Sequence, residues 1–276
     1  MTPDTFTIRS ADGTRLHAQW WQPAQPPKAT LVHVHGLGEH SGRHSHVART
    51  LNEAGYGVGS FDLRGHGRSP GRRGHATFDR TMEDIAACLA EARDRVPGVP
   101  RFLYGHSLGG LLVLTYVLRQ RPDLAGVVVT SAGLRSPVLE QRVKITAAKL
   151  LGSALPNIAI PAGLDDAGLS HDPDVIAAYR ADPLVHGQAS FALAKGGAAG
   201  ADWALAHAGD FDLPLLMVHG SDDRIAYERG TQEFAARVRG DVTVKTYQGL
   251  LHETHNEQEK DLVLAHIVEW LDAHMT

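Results

Sequence analysis

The stretch RFLYGHSLGGLLVLTYVLR, residues 101–119, sets one serine between two glycines where one apolar run ends and another begins. "RFLYG" reads as a short strand, and "LGGLLVLTYVLRQR" as a buried helix that ends before Pro122. Gly105-His106-Ser107-Leu108-Gly109 therefore places a G-x-S-x-G pattern in a strand–turn–helix context. Such a serine is either the N-cap of an ordinary helix or a nucleophile mounted on a sharp turn. The glycines favour the turn: it forces the serine backbone into a strained conformation, and the residues two before and two after must clear the crossing strand and helix. The following helix also aims unpaired N–H groups and its positive dipole end at the turn, which makes the Leu108 N–H a natural oxyanion donor.

A serine hydroxyl needs a base, and the base needs an orienting acid. Both follow Ser107 in the order serine, acid, histidine. "LPLLMV" reads as a strand and delivers Asp222 and Asp223 in the loop "VHGSDDR"; Asp223 is preferred and Asp222 kept as the alternative. "VTVKTY" reads as the next strand and delivers His252 in "GLLHETHNE", with His255 as its competitor in the opening turn of the last helix. Taken singly, these are a turn-forming acid and a loop histidine. Their joint occurrence at the carboxyl ends of successive strands, where open α/β sheets build their sites, is what favours the catalytic reading. "HVHGLGEHSGR" follows another strand and brings the N–H groups of Gly36, Leu37 and Gly38 close together as sources of a second oxyanion donor.

Outward from this centre, "TFTIRS" and "LHAQWWQP" flank the turn "ADGT" as a hairpin, and "ATLVHVHG", "YGVGSFDL" and "LAGVVVTSAG" supply further strands. With helices such as "FDRTMEDIAACLAEARDRV" between them, the chain predicts an α/β fold with a mainly parallel sheet of about eight strands covered on both faces. The rhythm breaks from about 134 to 208. That interval starts with helix-like "VLEQRVKITAAKLLGS", includes the Gly/Ala-rich "AKGGAAGADWALAHAG", and shows no strand of the core type. We read residues 1–276 as a single domain carrying a mostly helical insertion at about 134–208 over one edge of the sheet.

The 276 residues are 43% hydrophobic, enough for one sizeable core. A net charge of −4 with interspersed signs makes no electrostatic case for nucleic acid. The single cysteine, Cys88, rules out a disulfide framework within the chain and has the spacing of a helix packing residue. The first residues carry no basic-then-apolar signal, and no apolar run is long enough to suggest a membrane span, so a soluble protein of the reducing cytoplasm is expected. No heptads or apolar stripe speak to oligomeric state. The 17 histidines are too many for any one to count without its position.

Taken together, "HVHGLGEHSGR", "FDLRGHGRSPGRRG", "YGHSLGG", "VHGSDDRI", "GLLHETHNE" and the insertion segment "LSHDPDVIAAYRADPLVH" resemble α/β-hydrolases of the monoacylglycerol lipase and lysophospholipase type across nearly the whole chain. The resemblance implies Ser107 as nucleophile, Asp223 as acid, His252 as base, and the N–H groups of Leu37 and Leu108 as the oxyanion hole. It also implies a cap that shapes an acyl pocket and opens toward membranes or micelles, with an acyl lipid or ester as substrate. Leu150, Leu151, Leu155, Ile158 and Ile160, a dense apolar group bracketed by Gly and Pro, are the candidate lid residues; packing of the insertion onto the core is the plainer role for any one of them.

The mechanism expected is ester hydrolysis through an acyl-enzyme, with no metal or organic cofactor. Lysophospholipase and general carboxylesterase activity are the alternatives to monoacylglycerol hydrolysis. An aminopeptidase would use the same serine machinery but needs an acid to hold an amine, and a non-catalytic binder would have no use for the triad. A carboxylate-nucleophile hydrolase is incompatible with Ser107. Among the histidines, His33/His35 and His40/His44/His46 lack the HExxH spacing of a zinc site. Asp62, Arg64 and His66 in "FDLRGHG" read as a loop brace.

Overall fold

The computed structural model describes residues 2–140, 146 and 154–275. The eight anticipated strands form one sheet: β1 (Asp4–Arg9), β2 (Arg15–Trp21), β3 (Ala29–Val34), β4 (Tyr56–Phe61), β5 (Arg101–His106), β6 (Gly126–Thr130), β9 (Leu215–Gly220) and β10 (Val242–Tyr247). Their order across the sheet is β1-β2-β4-β3-β5-β6-β9-β10. β1 and β2 are an antiparallel hairpin, β2 meets β4 antiparallel, and every other pair is parallel. The sheet is thus an α/β-hydrolase core with its parallel strands all ending on one edge.

The central strands read as largely apolar runs because successive side chains enter opposite cores, whereas the edge strands β1 and β10 keep exposed polar positions. Leu103 of β5 packs with Val32, Val127 and Met217 on one face; its neighbours Phe102 and Tyr104 pack with Leu31, Val128 and Leu216 on the other. The first face is covered by α2 (Phe78–Arg95), α3 (Leu108–Gln120) and α6 (Phe191–Ala206), the second by α1 (Ser45–Glu53) and α8 (Lys260–Ala273). α3 is buried from Gly109 through Leu118, around its whole circumference, since it lies between the sheet and two other helices. That explains an apolar helix without a polar face.

Between β6 and β9 lie α4 (Pro137–Glu140), α5 (Pro173–Ala181), α6 and a small antiparallel ribbon of β7 (Ala159–Pro161) with β8 (Gln188–Ser190). The ribbon stands apart from the main sheet. Most of the helix-like "VLEQRVKITAAKLLGS", with Leu150 and Leu151, lies outside the described residues. The Gly/Ala-rich run from Ala194 to Ala206 lies within α6, a sixteen-residue helix, and its last three residues follow the helix end. A Cβ on Gly196 or Gly200 would stand 3.0 or 2.7 Å from Phe78 atoms, so these glycines let the helix press against that side chain. Ala201, Ala204 and Leu205 continue the helix into the main core. α7 (Glu228–Ala235) follows β9 and buries Thr231 and Phe234.

Candidate active site

Ser107 sits between β5 and α3 at φ 54°, ψ −116°. A left-handed φ is uncommon for a non-glycine residue and costs roughly 1–3 kcal/mol, so the surroundings must impose it. They do: Ser107 N–H donates to the Thr130 carbonyl at 2.9 Å, and its own carbonyl accepts from Leu111 and Gly133 N–H at 3.1 and 3.0 Å. The flanking glycines are steric necessities. A Cβ on Gly105 would approach the Gly109 carbonyl oxygen to 2.4 Å, and one on Gly109 would approach that of Val34 to 2.1 Å. The N-cap alternative fails on geometry, because the Ser107 side chain makes no cap hydrogen bond to the helix.

The hydroxyl instead meets His252: Nε2 lies 2.9 Å from Ser107 Oγ. On the far side of the ring, His252 Nδ1 lies 2.7 Å from Asp223 Oδ2. Asp223 Oδ1 accepts the N–H groups of Ile225 and Ala226 at 2.8 and 2.9 Å, which fixes the carboxylate plane. The His252 loop is clamped by Ser131, whose hydroxyl donates to the His252 carbonyl at 2.6 Å. The structure thus brings Ser107, His252 and Asp223 into one hydrogen-bonded line. Asp222 is exposed and turned to Ser221. His255 lies in a short turn ahead of α8, Thr254–Asn256, rather than in the helix itself, and packs against His44 and His106.

The electrostatics of this line are unequal. Burial works to raise the Asp223 carboxyl, but the His252 charge and the hydrogen bonds from His219 and His252 outweigh it and hold the group well below the usual carboxylate range. Burial pulls His252 down, yet the charge and hydrogen bond of Asp223, helped by Glu253 and Glu39, leave it above its ordinary value. An anion that stays ionised next to an imidazole that gains a proton readily is the polarity a general base requires.

Leu37 and Leu108 line the same cavity as Ser107. Leu108 opens α3, so its N–H has no carbonyl four residues back within the helix. Of the three N–H groups in the loop after β3, that of Gly36 is taken by Glu39 Oε1 at 2.6 Å. The cavity has a volume of about 240 Å³ and walls that are mostly apolar, including Leu111, Val138, Leu139, Phe191 and Ala198. Among the candidate lid residues, Ile160 lines it; Leu155 and Ile158 do not, and are 45% and 39% exposed.

Adjoining this cavity, and lined by both Ser107 and His252, is a pocket of about 30 Å³ bordered by Glu39, Arg43, Tyr179 and Glu253 together with Leu164 and Leu169. Arg43 donates to Glu39 at 2.8 Å and to both oxygens of Glu253 at 2.7 and 2.9 Å, with its guanidinium 4.7 Å from the Tyr179 ring centroid. Burial opposes ionisation of Glu39, but His44 and Arg43 hold it well below the usual carboxylate range. This pocket is absent from the sequence reading. Arg43 and Glu253 are 210 residues apart, and their only local signal is that Glu253 follows His252.

Asp62 accepts from Ser41 N–H, Ser41 Oγ and Arg68 N–H, and Arg64 pairs with Asp84 of α2 and with Asp12 of the β1–β2 turn, so the "FDLRGHG" charges tie this loop to the elements around it. His35 and His44 are likewise occupied, by Leu63 N–H and Glu39 respectively. Among the described residues, no helix is long and apolar enough to cross a membrane.

Residues 25–259 match the family model described as serine aminopeptidase, S33. The chain is 35% identical over 277 residues to a monoacylglycerol lipase of Mycolicibacterium smegmatis, covering 99% of each. It is 37% identical over 275 residues to an uncharacterized abhydrolase domain-containing protein of Dictyostelium discoideum, covering 98% of this chain but only 29% of that much longer protein. The crystal structure of a monoacylglycerol lipase from Paleococcus ferrophilus superposes with a TM-score of 0.88 at 34% identity, over 94% of this chain and 99% of that one. The chain belongs to the serine aminopeptidase S33 family: it is an α/β-hydrolase, and its full-length likeness to monoacylglycerol lipases makes it a carboxylic ester hydrolase.

Proposed function

We propose that this enzyme hydrolyses monoacylglycerols to a fatty acid and glycerol, with Ser107, His252 and Asp223 as its catalytic residues. The observation that carries the reading is that Ser107 lines both a mostly apolar cavity of about 240 Å³ and an adjoining pocket of about 30 Å³ that holds the charged side chains Glu39, Arg43 and Glu253. An ester of a long acyl chain and a small polyol has this division of chemistry across its scissile bond. Ser107 Oγ attacks the ester carbonyl while His252 Nε2 takes its proton and Asp223 stabilises the imidazolium that forms. The N–H groups of Leu37 and Leu108 receive the oxyanion. His252 then protonates the leaving alcohol, and water repeats the sequence on the acyl-enzyme.

The head-group side favours glycerol over the alternatives. Arg43 is outnumbered by Glu39 and Glu253, so the pocket repels the phosphate of a lysophospholipid. The same two carboxylates are already paired with Arg43, which leaves them poorly suited to holding the free amine of a peptide. We read the interval at about 134–208 as the cap. Leu155, Ile158 and Ile160 in it are exposed, the Ile158 N–H donates to the Leu155 carbonyl, and Ile160 lines the cavity; exposed apolar side chains at a cavity entrance suit transient contact with micelles or membranes.

Rates of purified enzyme on monoacylglycerols, lysophospholipids, short p-nitrophenyl esters and aminoacyl anilides test this directly. A kcat/KM on long-chain monoacylglycerols at least about ten times that on lysophospholipids and anilides is expected, a gap of about 1.4 kcal/mol in transition-state binding. Equal or greater turnover of lysophospholipids or anilides overturns the substrate assignment. Short esters as good as monoacylglycerols reduce it to a general carboxylesterase.

A further inference from the structure

His219, near the end of β9, is buried and outside the serine–histidine–aspartate line, yet it touches that line at its far end. Its Nε2 lies 3.1 Å from Asp223 Oδ2 and 2.9 Å from the Ala226 carbonyl. Its Nδ1 lies 2.8 Å from Thr231 Oγ1 on α7. Two acceptors facing Nε2 require the hydrogen there, and the Thr231 hydroxyl then donates to Nδ1, so the surroundings select one tautomer. The oxygen that His219 meets is the one that accepts from His252, while the other carboxylate oxygen is filled by two backbone N–H groups. Two imidazoles therefore share a single carboxylate oxygen.

We propose that His219 is a positioning residue that anchors Asp223 Oδ2, draws off part of its charge and so sets how basic His252 is. The inference rests on the reading of Ser107, His252 and Asp223 as nucleophile, base and acid. Backbone N–H groups hold Oδ1, so loss of His219 leaves Asp223 in place with its charge more concentrated on the oxygen facing His252. The imidazolium becomes more stable, and a larger share of His252 is protonated, unable to take the Ser107 proton, near neutral pH. The groups that face His252 are Asp223, Glu253, Glu39 and His106; those that face His219 are Asp223 and Glu228. Of these, Asp223 alone faces both rings, so the effect runs through it.

The test is the pH dependence of kcat/KM on a short p-nitrophenyl ester for wild type, His219→Met, His219→Gln and Thr231→Val. A direct charge partner moves a pKa by roughly 1–3 units, and an influence relayed through Asp223 is a fraction of that, about half a unit. The acid limb of His219→Met is expected to move to higher pH by that amount. His219→Gln, whose amide N–H reaches the place of Nε2, is expected to return the limb toward wild type. Thr231→Val, close in volume, leaves the hydrogen on Nε2 but removes the hydroxyl that donates to Nδ1 and polarises the ring, which weakens the Nε2–H donor and is expected to shift the limb in the same direction by a smaller amount; it decides the matter if His219→Met does not fold. A limb that stays in place or moves to lower pH overturns the inference, whatever happens to melting temperature. Ser107→Ala runs alongside: if it keeps full activity, the reading beneath the inference fails and both fall. If it is inactive and the limb does not move, the inference alone is lost.

Discussion

At Ser107 a local pattern and a global constraint coincide. The glycines at 105 and 109 are visible in the sequence, and what they avoid is visible only in space: the carbonyl of Gly109 itself, and that of Val34, seventy residues or more away along the chain. Ser107→Ala is expected to reduce turnover by at least about 10⁴-fold and to abolish fluorophosphonate labelling, with an unchanged melting temperature. Persistent labelling in that variant would remove Ser107 from its role. His252 is held above its ordinary value by Asp223, so the neutral form that the proposed role of general base requires is populated only above that raised pKa. The acid limb of the wild-type kcat/KM profile is therefore expected above pH 6.5, and a limb at or below that value would contradict the electrostatics described here. These residues could be read from the sequence because each lies just beyond a recognisable strand. Arg43, Glu39, Glu253 and His219 could not, because burial and pairing across 4 to 210 positions are what give them a role.

The elements were legible to different degrees, for a common reason. The central strands β3, β4, β5, β6 and β9 are buried on both faces, so their composition alone marks them, and register follows from which face each side chain must fill. α6 is the opposite case. Gly196, Gly197 and Gly200 lower its intrinsic helix propensity, and its stability comes from the close approach to Phe78 and from Ala201, Ala204 and Leu205 in the core. A tertiary contact of that kind leaves no periodic apolar stripe for a reader of the sequence. Gly200→Val is accordingly expected to be destabilising, by about 1–3 kcal/mol, as a Cβ at 2.7 Å from Phe78 pushes helix and ring apart. A denaturant midpoint lowered at constant m-value is the measurement, and an unchanged midpoint would mean that the helix shifts without cost. Gly197, a residue of the same helix, lines the cavity with open space before it. Gly197→Phe should fill the cavity, lowering kcat/KM on long-chain monoacylglycerols by about tenfold or more while sparing short esters; equal losses would detach this wall from acyl selection.

Over the whole molecule, the abundance of histidine finds its consequence in how many imidazoles are buried. His33, His66, His106 and His255 are held well below the ordinary value, first by burial and then by neighbouring imidazoles. His35 and His46 are lowered to about 4 by the same burial. A folded-state pKa below the unfolded one means that, as pH falls, the unfolded chain takes up protons that the folded chain refuses. Stability therefore falls as pH drops through 6.5, and for His35 and His46 it continues to fall down to about pH 4. His252 has the opposite sign: its raised value contributes stability that is present at low pH and lost as pH rises through that value. One group of that sign is outnumbered, among the described residues, by these six and by His17, His75 and His186, which burial also lowers. Each buried neutral imidazole costs about 1.4 kcal/mol per pH unit within its window, a large share of a domain stability of about 5–15 kcal/mol. The melting temperature is thus expected to hold above pH 7 and to fall by more than about 10 °C between pH 6.5 and 5, before most carboxylates titrate. A melting temperature that stays level down to pH 5 would mean that these rings take up protons in place, through rearrangement or water entry.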